Sequence, residues 1–505
     1  MKLYKKIGFV SGLILFVIIL ILPAPEGLQP AAKNMIAVTF LMAVWWMTEA
    51  IPISATALIP IAIYPLLNIM PASEVAPLYS NSKIYLFMGG FFIAVCMETW
   101  GLSRRIALFI IKNLSRTPDR IIFGFMAATA FLSMWISNTA TTIMMLPIGI
   151  AVINKIAEYN NLSKDDKIVG DFGCALMLGI AYSASIGGIG TLIGTPPNII
   201  FAGVVSKLFP DAPEITFFRW MLFGIPLVII FLPVAWIYLT KISCRIKKDT
   251  FFIEDSLINE EYYKLPKMSR AEISVTIIFL ITVFLWIFRS DIVLGSFKIP
   301  GWSNLFQNSA GIDDSTVAIF MALICFIIPV SLEKGKLILD WSSAKKIPWG
   351  ILILFGGGFA MAHGFNVTGL SAWLGDKFTV LQHFPLIIAI ILVCLFLTFL
   401  TELTSNTATT SMILPILAST SVSMGIHPFI LMIPATVSAS CAFMLPVATP
   451  PNAIIFASGR VSIPRMARTG LVLNLIGAVI VTILVYFLAF KVFGISLDSL
   501  PGWVK

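Results

Sequence analysis

The sequence predicts an all-α polytopic membrane protein, with about 11 transmembrane helices and two re-entrant hairpins in two inverted-topology repeats. Three observations lead there. Of 505 residues, 58% are hydrophobic and only 12% charged, with a mean hydropathy of +0.96. Soluble domains carry roughly a quarter charged residues, so this chain is composed for hydrocarbon surroundings. Lys and Arg cluster between alternate apolar runs. A long motif also recurs in the second half of the chain.

The first element, within 1–33, is an apolar run from Ile7 to Leu22 preceded by Lys2, Lys5 and Lys6. It resembles a signal peptide, but the run is long for that and no small-x-small cleavage site follows. It is read as a retained helix with its basic end in the cytoplasm. Residues 34–240 form the first repeat: spans at 34–50, 53–69 and 84–99, a hairpin at about 121–157, a broken helix at about 170–205, and a span at 217–240. A cytoplasmic linker, 241–270, contains Glu254, Asp255, Glu260 and Glu261 and reads as solvated. Residues 271–495 form the second repeat: spans at 271–288, 316–332 and 348–365, a hairpin at about 385–423, a broken helix at about 427–457, and a last span at 469–491.

If both hairpins enter and leave on one side, the basic loops all fall inside. These hold Arg104, Arg105, Arg116 and Arg120; Lys241, Arg245, Lys247, Lys248, Lys264, Lys267 and Arg270; Lys334, Lys336, Lys345 and Lys346; and Arg460, Arg465 and Arg468. The outer loops carry Asp211, Glu214, Asp291, Asp313 and Asp314 instead. The expectation is a multi-pass protein of the cell membrane, N-terminus cytoplasmic and C-terminus outside. The stretch from Arg104 to Arg120 reads as a basic amphipathic helix on the inner lipid surface. The net charge of +9 is explained by these loops, so no nucleic-acid partner is expected.

Enzymatic chemistry finds little support. Cys96, Cys174, Cys244, Cys325, Cys394 and Cys441 form no C-x-x-C pair, and His363, His383 and His427 are scattered. No catalytic residue, resident metal or organic cofactor is expected.

The repeat is clearest at an offset of 268 residues. Leu86, Phe87, Gly89, Gly90, Phe91 and Ala94 recur as Leu354, Phe355, Gly357, Gly358, Phe359 and Ala362, and Gly101-Leu-Ser103 recurs as Gly369-Leu-Ser371. Ser137–Pro147 and Ser405–Pro415 are identical at nine of eleven positions. Thr195-Pro-Pro-Asn198 recurs as Thr449-Pro-Pro-Asn452. Segment 101–120 carries five basic residues and its counterpart 369–388 only Lys377, so the copies should face opposite sides of the membrane. Inverted repeats are common in secondary transporters.

Each polar interruption needs a reason, since unpaired backbone in lipid costs several kcal/mol per group. Ser-Asn-Thr is a turn and N-cap sequence, so each hairpin should re-enter the membrane with a new helix beginning near Thr139 and Thr407. Thr-Pro-Pro ends one helix and begins the next, with Thr195 and Thr449 as caps. Four half-helix N-termini, each roughly +0.5 charge, then suit an anion. Freed carbonyls with Ser and Asn oxygens suit Na⁺. No Lys or Arg lies in these windows to neutralise a dianion, so co-bound cations would have to do so. Ser133 and Thr401 precede each motif by four residues. Glu49 and Glu402 read as backbone-capping or rim groups rather than proton carriers.

Trp46-Met-Thr-Glu-Ala-Ile-Pro-Ile53, with the paired Ser-Asn-Thr and Thr-Pro-Pro motifs, resembles the divalent anion:sodium symporters over about residues 34–491. The resemblance implies a homodimer in the lipid bilayer whose transport domains move elevator-fashion against a scaffold. It implies Na⁺-driven import of a small dianionic substrate, a C4-dicarboxylate such as succinate, fumarate or malate. Exchange of dicarboxylates, or carriage of citrate or sulfate, is the alternative within the family. By position, the first Na⁺ site would use Ser133, Ser137, Asn138 and Gly194, and the second Thr401, Thr404, Asn406 and Ala448. Substrate would meet Asn138, Thr139, Thr195 and Pro196 on one side and Asn406, Thr407, Thr449 and Pro450 on the other.

Overall fold

Helices dominate the computed structural model, which describes residues 3–114, 117–163, 166–246, 256–294, 297–331, 335–377, 385–496 and 500–504. Arg116, Lys247, Lys248, Glu254, Asp255, Lys334 and His383 lie outside these. Among the described residues, nine helices are long and apolar enough to cross a membrane. The strands form two short antiparallel pairs, Ile292–Leu294 with Phe297–Ile299 and Pro329–Ser331 with Lys336–Leu337. Arg270–Ile287 shows why this is a membrane fold. Ile273, Ile277, Leu280, Ile281 and Phe284 face outward, although Val275, Ile278 and Phe279 already supply an apolar inner face. A helix apolar on both sides suits lipid, not water.

The same series of helices occurs twice. Ser82–Thr99, Leu102–Leu114, Pro118–Ser133, Asn138–Tyr159, Lys167–Gly188, Pro196–Leu208 and Phe217–Ile237 are followed later by Trp349–Val367, Leu370–Lys377, Leu386–Thr401, Asn406–Ser423, Phe429–Ser438, Pro450–Ala457 and Ile463–Leu484. The repeated Gly-Leu-Ser has a local cause. Gly101 (φ +79°) and Gly369 (φ +72°) are both left-handed, the conformation that turns the chain out of one helix into the next. The second half of each broken helix packs on the other repeat. Pro196–Leu208 lies against Asn406–Ser423, and Pro450–Ala457 against Asn138–Tyr159.

Two expectations are revised. The described end of the linker is not simply solvated: helix Ser256–Tyr263 packs on Leu102–Leu114. Glu261 pairs with Arg104 at 3.6 Å, Arg105 binds Glu272 and the Pro266 carbonyl, and Lys112 donates to the Tyr263 hydroxyl at 3.0 Å. Glu260 pairs with Lys155 at 3.0 Å. The amphipathic helix therefore commits Arg105 and Lys112 to the linker and the start of the helix after it, not to a lipid surface, because the Glu272 carboxylate and the Tyr262 and Tyr263 rings satisfy the cations.

The acidic residues expected outside are also organised. Arg289 bridges Asp314 (2.6 Å) and Glu214 (2.7 Å), Glu214 reaches Lys83 (2.9 Å), and Asp314 accepts from the Phe217 N–H (2.7 Å). Arg289, Lys83 and Asp314 are buried, so each charge has the partners that burial demands.

Candidate functional site

The first Ser-Asn-Thr tip begins one residue earlier than its sequence suggests. Ser137 is the N-cap, its hydroxyl accepting from the Ala140 N–H at 3.2 Å, and Asn138 opens the helix. Asn138 is thereby swung toward Ser133 and the broken helix. Its side-chain oxygen lies 2.6 Å from Ser133 Oγ, which is also 2.7 Å from the Ala184 carbonyl. A single hydroxyl proton cannot serve both acceptors. Turned over, the amide nitrogen would lie 2.6 Å from Ser133 Oγ and 3.2 Å from both the Ala184 and Gly194 carbonyls. In that orientation the amide protons satisfy the surrounding oxygens, and Ser133, Asn138, Ala184 and Gly194 all converge at the tip. Hydroxyl, amide and carbonyl oxygens of this kind are the donor set that a small hard cation takes.

The second tip repeats this with different atoms. Ser405 is the N-cap of Asn406–Ser423, without a side-chain cap bond. Thr401 Oγ1 lies 2.6 Å from Asn406 Oδ1 and 3.1 Å from the Ala439 carbonyl, again one proton between two acceptors. The carbonyls of Ala184 and Ala439 were not legible as parts of these clusters, since a carbonyl leaves no mark on residue type. Thr404 is different: its hydroxyl donates to the Leu400 carbonyl at 2.9 Å and meets Thr409 Oγ1. Ala448 is buried and its N–H is held by the Leu445 carbonyl.

The two breaks are spanned by equivalent asparagines. Asn198 Nδ2 donates to Thr191 (2.7 Å), Gly188 (3.2 Å) and Ile189 (3.3 Å), and Asn452 Nδ2 to Ala442 and Leu445 (both 3.1 Å). Each ties down carbonyls that the missing helical turn would have satisfied. Sequence reading valued Asn198 and Asn452 only as part of a repeat; their position after Pro-Pro was the signal that they brace a break. Thr449 caps its half-helix by accepting from Asn452 N–H at 3.3 Å, whereas Thr195 is an N-cap without a side-chain bond. Pro196 and Pro450 occupy the first helical positions, where their missing N–H is harmless. Among the described residues, the hydroxyls of Thr139, Thr195 and Thr407 make no hydrogen bond and remain available at helix N-termini.

Glu402 proves to be a backbone cap. It accepts from the N–H groups of Phe443 (2.7 Å), Met444 (2.9 Å) and Leu445 (3.0 Å) and from Asn474 Nδ2 (2.7 Å). Glu49, left-handed at φ 45°, pairs with Lys5 at 3.0 Å.

Residues 4–494 match the sodium:sulfate symporter transmembrane region. The sodium-dependent dicarboxylate transporters SdcS of Staphylococcus saprophyticus and of Staphylococcus aureus are each 43% identical over 496 residues, covering 98% of this chain and 93% of theirs. The crystal structure of the Alcanivorax borkumensis YdaH transporter shares the fold, with a TM-score of 0.58, 97% coverage of both chains and 12% identity. From the match across nearly its whole length, the chain belongs to the sodium:sulfate symporter family and is a membrane transporter, not an enzyme.

Proposed function

We propose that this protein imports C4-dicarboxylates such as succinate, fumarate and malate, coupled to Na⁺. The carrying observation is the pair of matching oxygen clusters, Ser133–Asn138–Ala184–Gly194 and Thr401–Asn406–Ala439, one at each tip. Each would take one Na⁺, with Ser137, Thr404 and Ala448 adding backbone oxygens. The N-termini at Asn138, Pro196, Asn406 and Pro450, with the hydroxyls of Thr139, Thr195, Thr407 and Thr449, would meet the substrate carboxylates. Helix partial charges alone are too weak to desolvate a dianion. Bound Na⁺ supplies the rest, which is the physical basis of coupling. Dicarboxylate is preferred over sulfate because the relatives that match at 43% identity are named as dicarboxylate transporters.

The reading extends to a homodimer with the N-terminus cytoplasmic and the C-terminus outside. The repeats, 34–240 and 271–495, face opposite ways, and the hairpins and broken helices move together past the remaining spans in elevator fashion. Labelled succinate uptake into proteoliposomes tests it, with an inward Na⁺ gradient and then with K⁺ in place of Na⁺. Accumulation only with Na⁺ is the expected result. Uptake that ignores Na⁺ but needs internal dicarboxylate would make the protein an exchanger, and no succinate signal in either format would turn the search to citrate or sulfate.

A further inference from the structure

Glu402 has no acidic equivalent in the first repeat. Its counterpart by the 268-residue offset is Met134. The carboxylate is only 3% exposed, and no Lys, Arg or His pairs with it among the described residues. It is gathered instead by three consecutive backbone N–H groups, 443–445, and by Asn474. Consecutive N–H groups converging on an anion form a nest, and all four partners are donors, the set that suits the ionised carboxylate against the burial that opposes it. Neutral dipoles solvate a buried charge without cancelling it, so the site keeps a net negative field.

Glu402 follows Thr401, and the segment it grips runs between Ala439 and Ala448. With its N–H groups turned onto the carboxylate, this stretch stays unwound. Asn452 fixes the Ala442 and Leu445 carbonyls. The first break has no such charge: Thr191 Oγ1 merely donates to the Met134 carbonyl.

We propose that Glu402 is a positioning residue and fixed counter-charge for the second Na⁺ site, making the two cation sites unequal, with the second the tighter. The inference rests on the proposed Na⁺ coupling. The test uses the purified full-length protein, with Na⁺ titrated against choline at constant ionic strength. Two readouts are taken: thermal midpoint without substrate, and succinate uptake in proteoliposomes.

Glu402→Gln should raise the Na⁺ concentration for half-maximal effect roughly tenfold in both readouts. Succinate half-saturation at saturating Na⁺ should stay within about twofold, a split that a merely structural role would not give. Should Glu402→Gln fail to fold in choline, Asn474→Lys decides, since it sets a cation beside the carboxylate while the nest remains; the same Na⁺ shift is expected. Wild-type Na⁺ dependence in a folded variant would overturn the inference and leave the symport reading intact. Absence of any Na⁺ effect on the wild-type protein would instead sink that reading.

Discussion

The two breaks solve one problem with different chemistry, although the hairpin tips facing them are nearly identical. The first is a glycine solution. Gly187, Gly188, Gly190 and Gly194 stand where the second has Cys441, Ala442, Met444 and Ala448. A Cβ at Gly187 would lie 2.2 Å from the Ala130 carbonyl, and one at Gly194 would lie 2.4 Å from the Gly188 carbonyl. Backbone therefore packs on backbone, and the incoming helix continues to Gly188. In the second break, side chains forbid that approach. The helix ends at Ser438, about one turn sooner by the repeat alignment, and Glu402 takes up the released N–H groups. A given Ser-Asn-Thr tip can thus be served by close packing or by a buried charge. Equal sequence at the tips does not mean equal surroundings.

The largest effects should come where the two copies agree. Asn138→Ala and Asn406→Ala each remove the amide that meets the hydroxyl of Ser133 or Thr401 at its own tip, and each should abolish Na⁺-coupled uptake while leaving the protein folded in detergent. Wild-type uptake by either would mean that the oxygen clusters are packing features, not ion sites. Where the copies differ, exchanging residues between them should be costly in one direction. Gly187→Cys imports the second break's residue into the first, against the Ala130 backbone, and should destabilise by about 3 kcal/mol or more. Cys441→Ala only trims a buried side chain and should cost about 1 kcal/mol. Thermal midpoints of the pair measure the contrast, and equal shifts would refute the close-packing account.

What the sequence disclosed follows from what leaves a mark on residue type. Apolar run length, basic loops and the repeat marked the helices, and Ser-Asn-Thr and Thr-Pro-Pro marked the places where they stop. Ser133 and Thr401 were visible because a hydroxyl four residues before a tip is conspicuous in both copies. The Ala184 and Ala439 carbonyls were not, because any residue offers one. Nor was the linker's docking: Glu260 and Glu261 look solvated until Lys155 and Arg104 are seen beside them, from positions more than 100 residues away. Thr404 enters through the family resemblance alone, and the hydrogen bonds of its hydroxyl to the Leu400 carbonyl and to Thr409 within its own hairpin leave no mark on the sequence.

The smallest predicted effect tests how differently the two hairpins are walled. Within the eleven-residue match, one difference is Ile143 against Ser411. Ile143 is 57% exposed, and Ser411 is fully buried. The cause is a neighbour present on one side only. Asn406–Ser423 is covered by Trp349–Val367, where a Cβ on Gly358 would come within 2.6 Å of Ser411 Oγ. Gly90, the counterpart of Gly358, instead faces Ile193, so nothing comparable covers Ile143. Ser411→Ile would force a branched side chain into that contact, at about 1–3 kcal/mol. Ile143→Ser changes only an outward position, and should cost about 1 kcal/mol or less. If the hairpins exchange walls during transport, position 143 must be covered in another state. Ile143→Ser would then alter the uptake rate while leaving the melting temperature in place. A variant with wild-type rate and wild-type melting would mean that the first hairpin stays uncovered throughout the cycle.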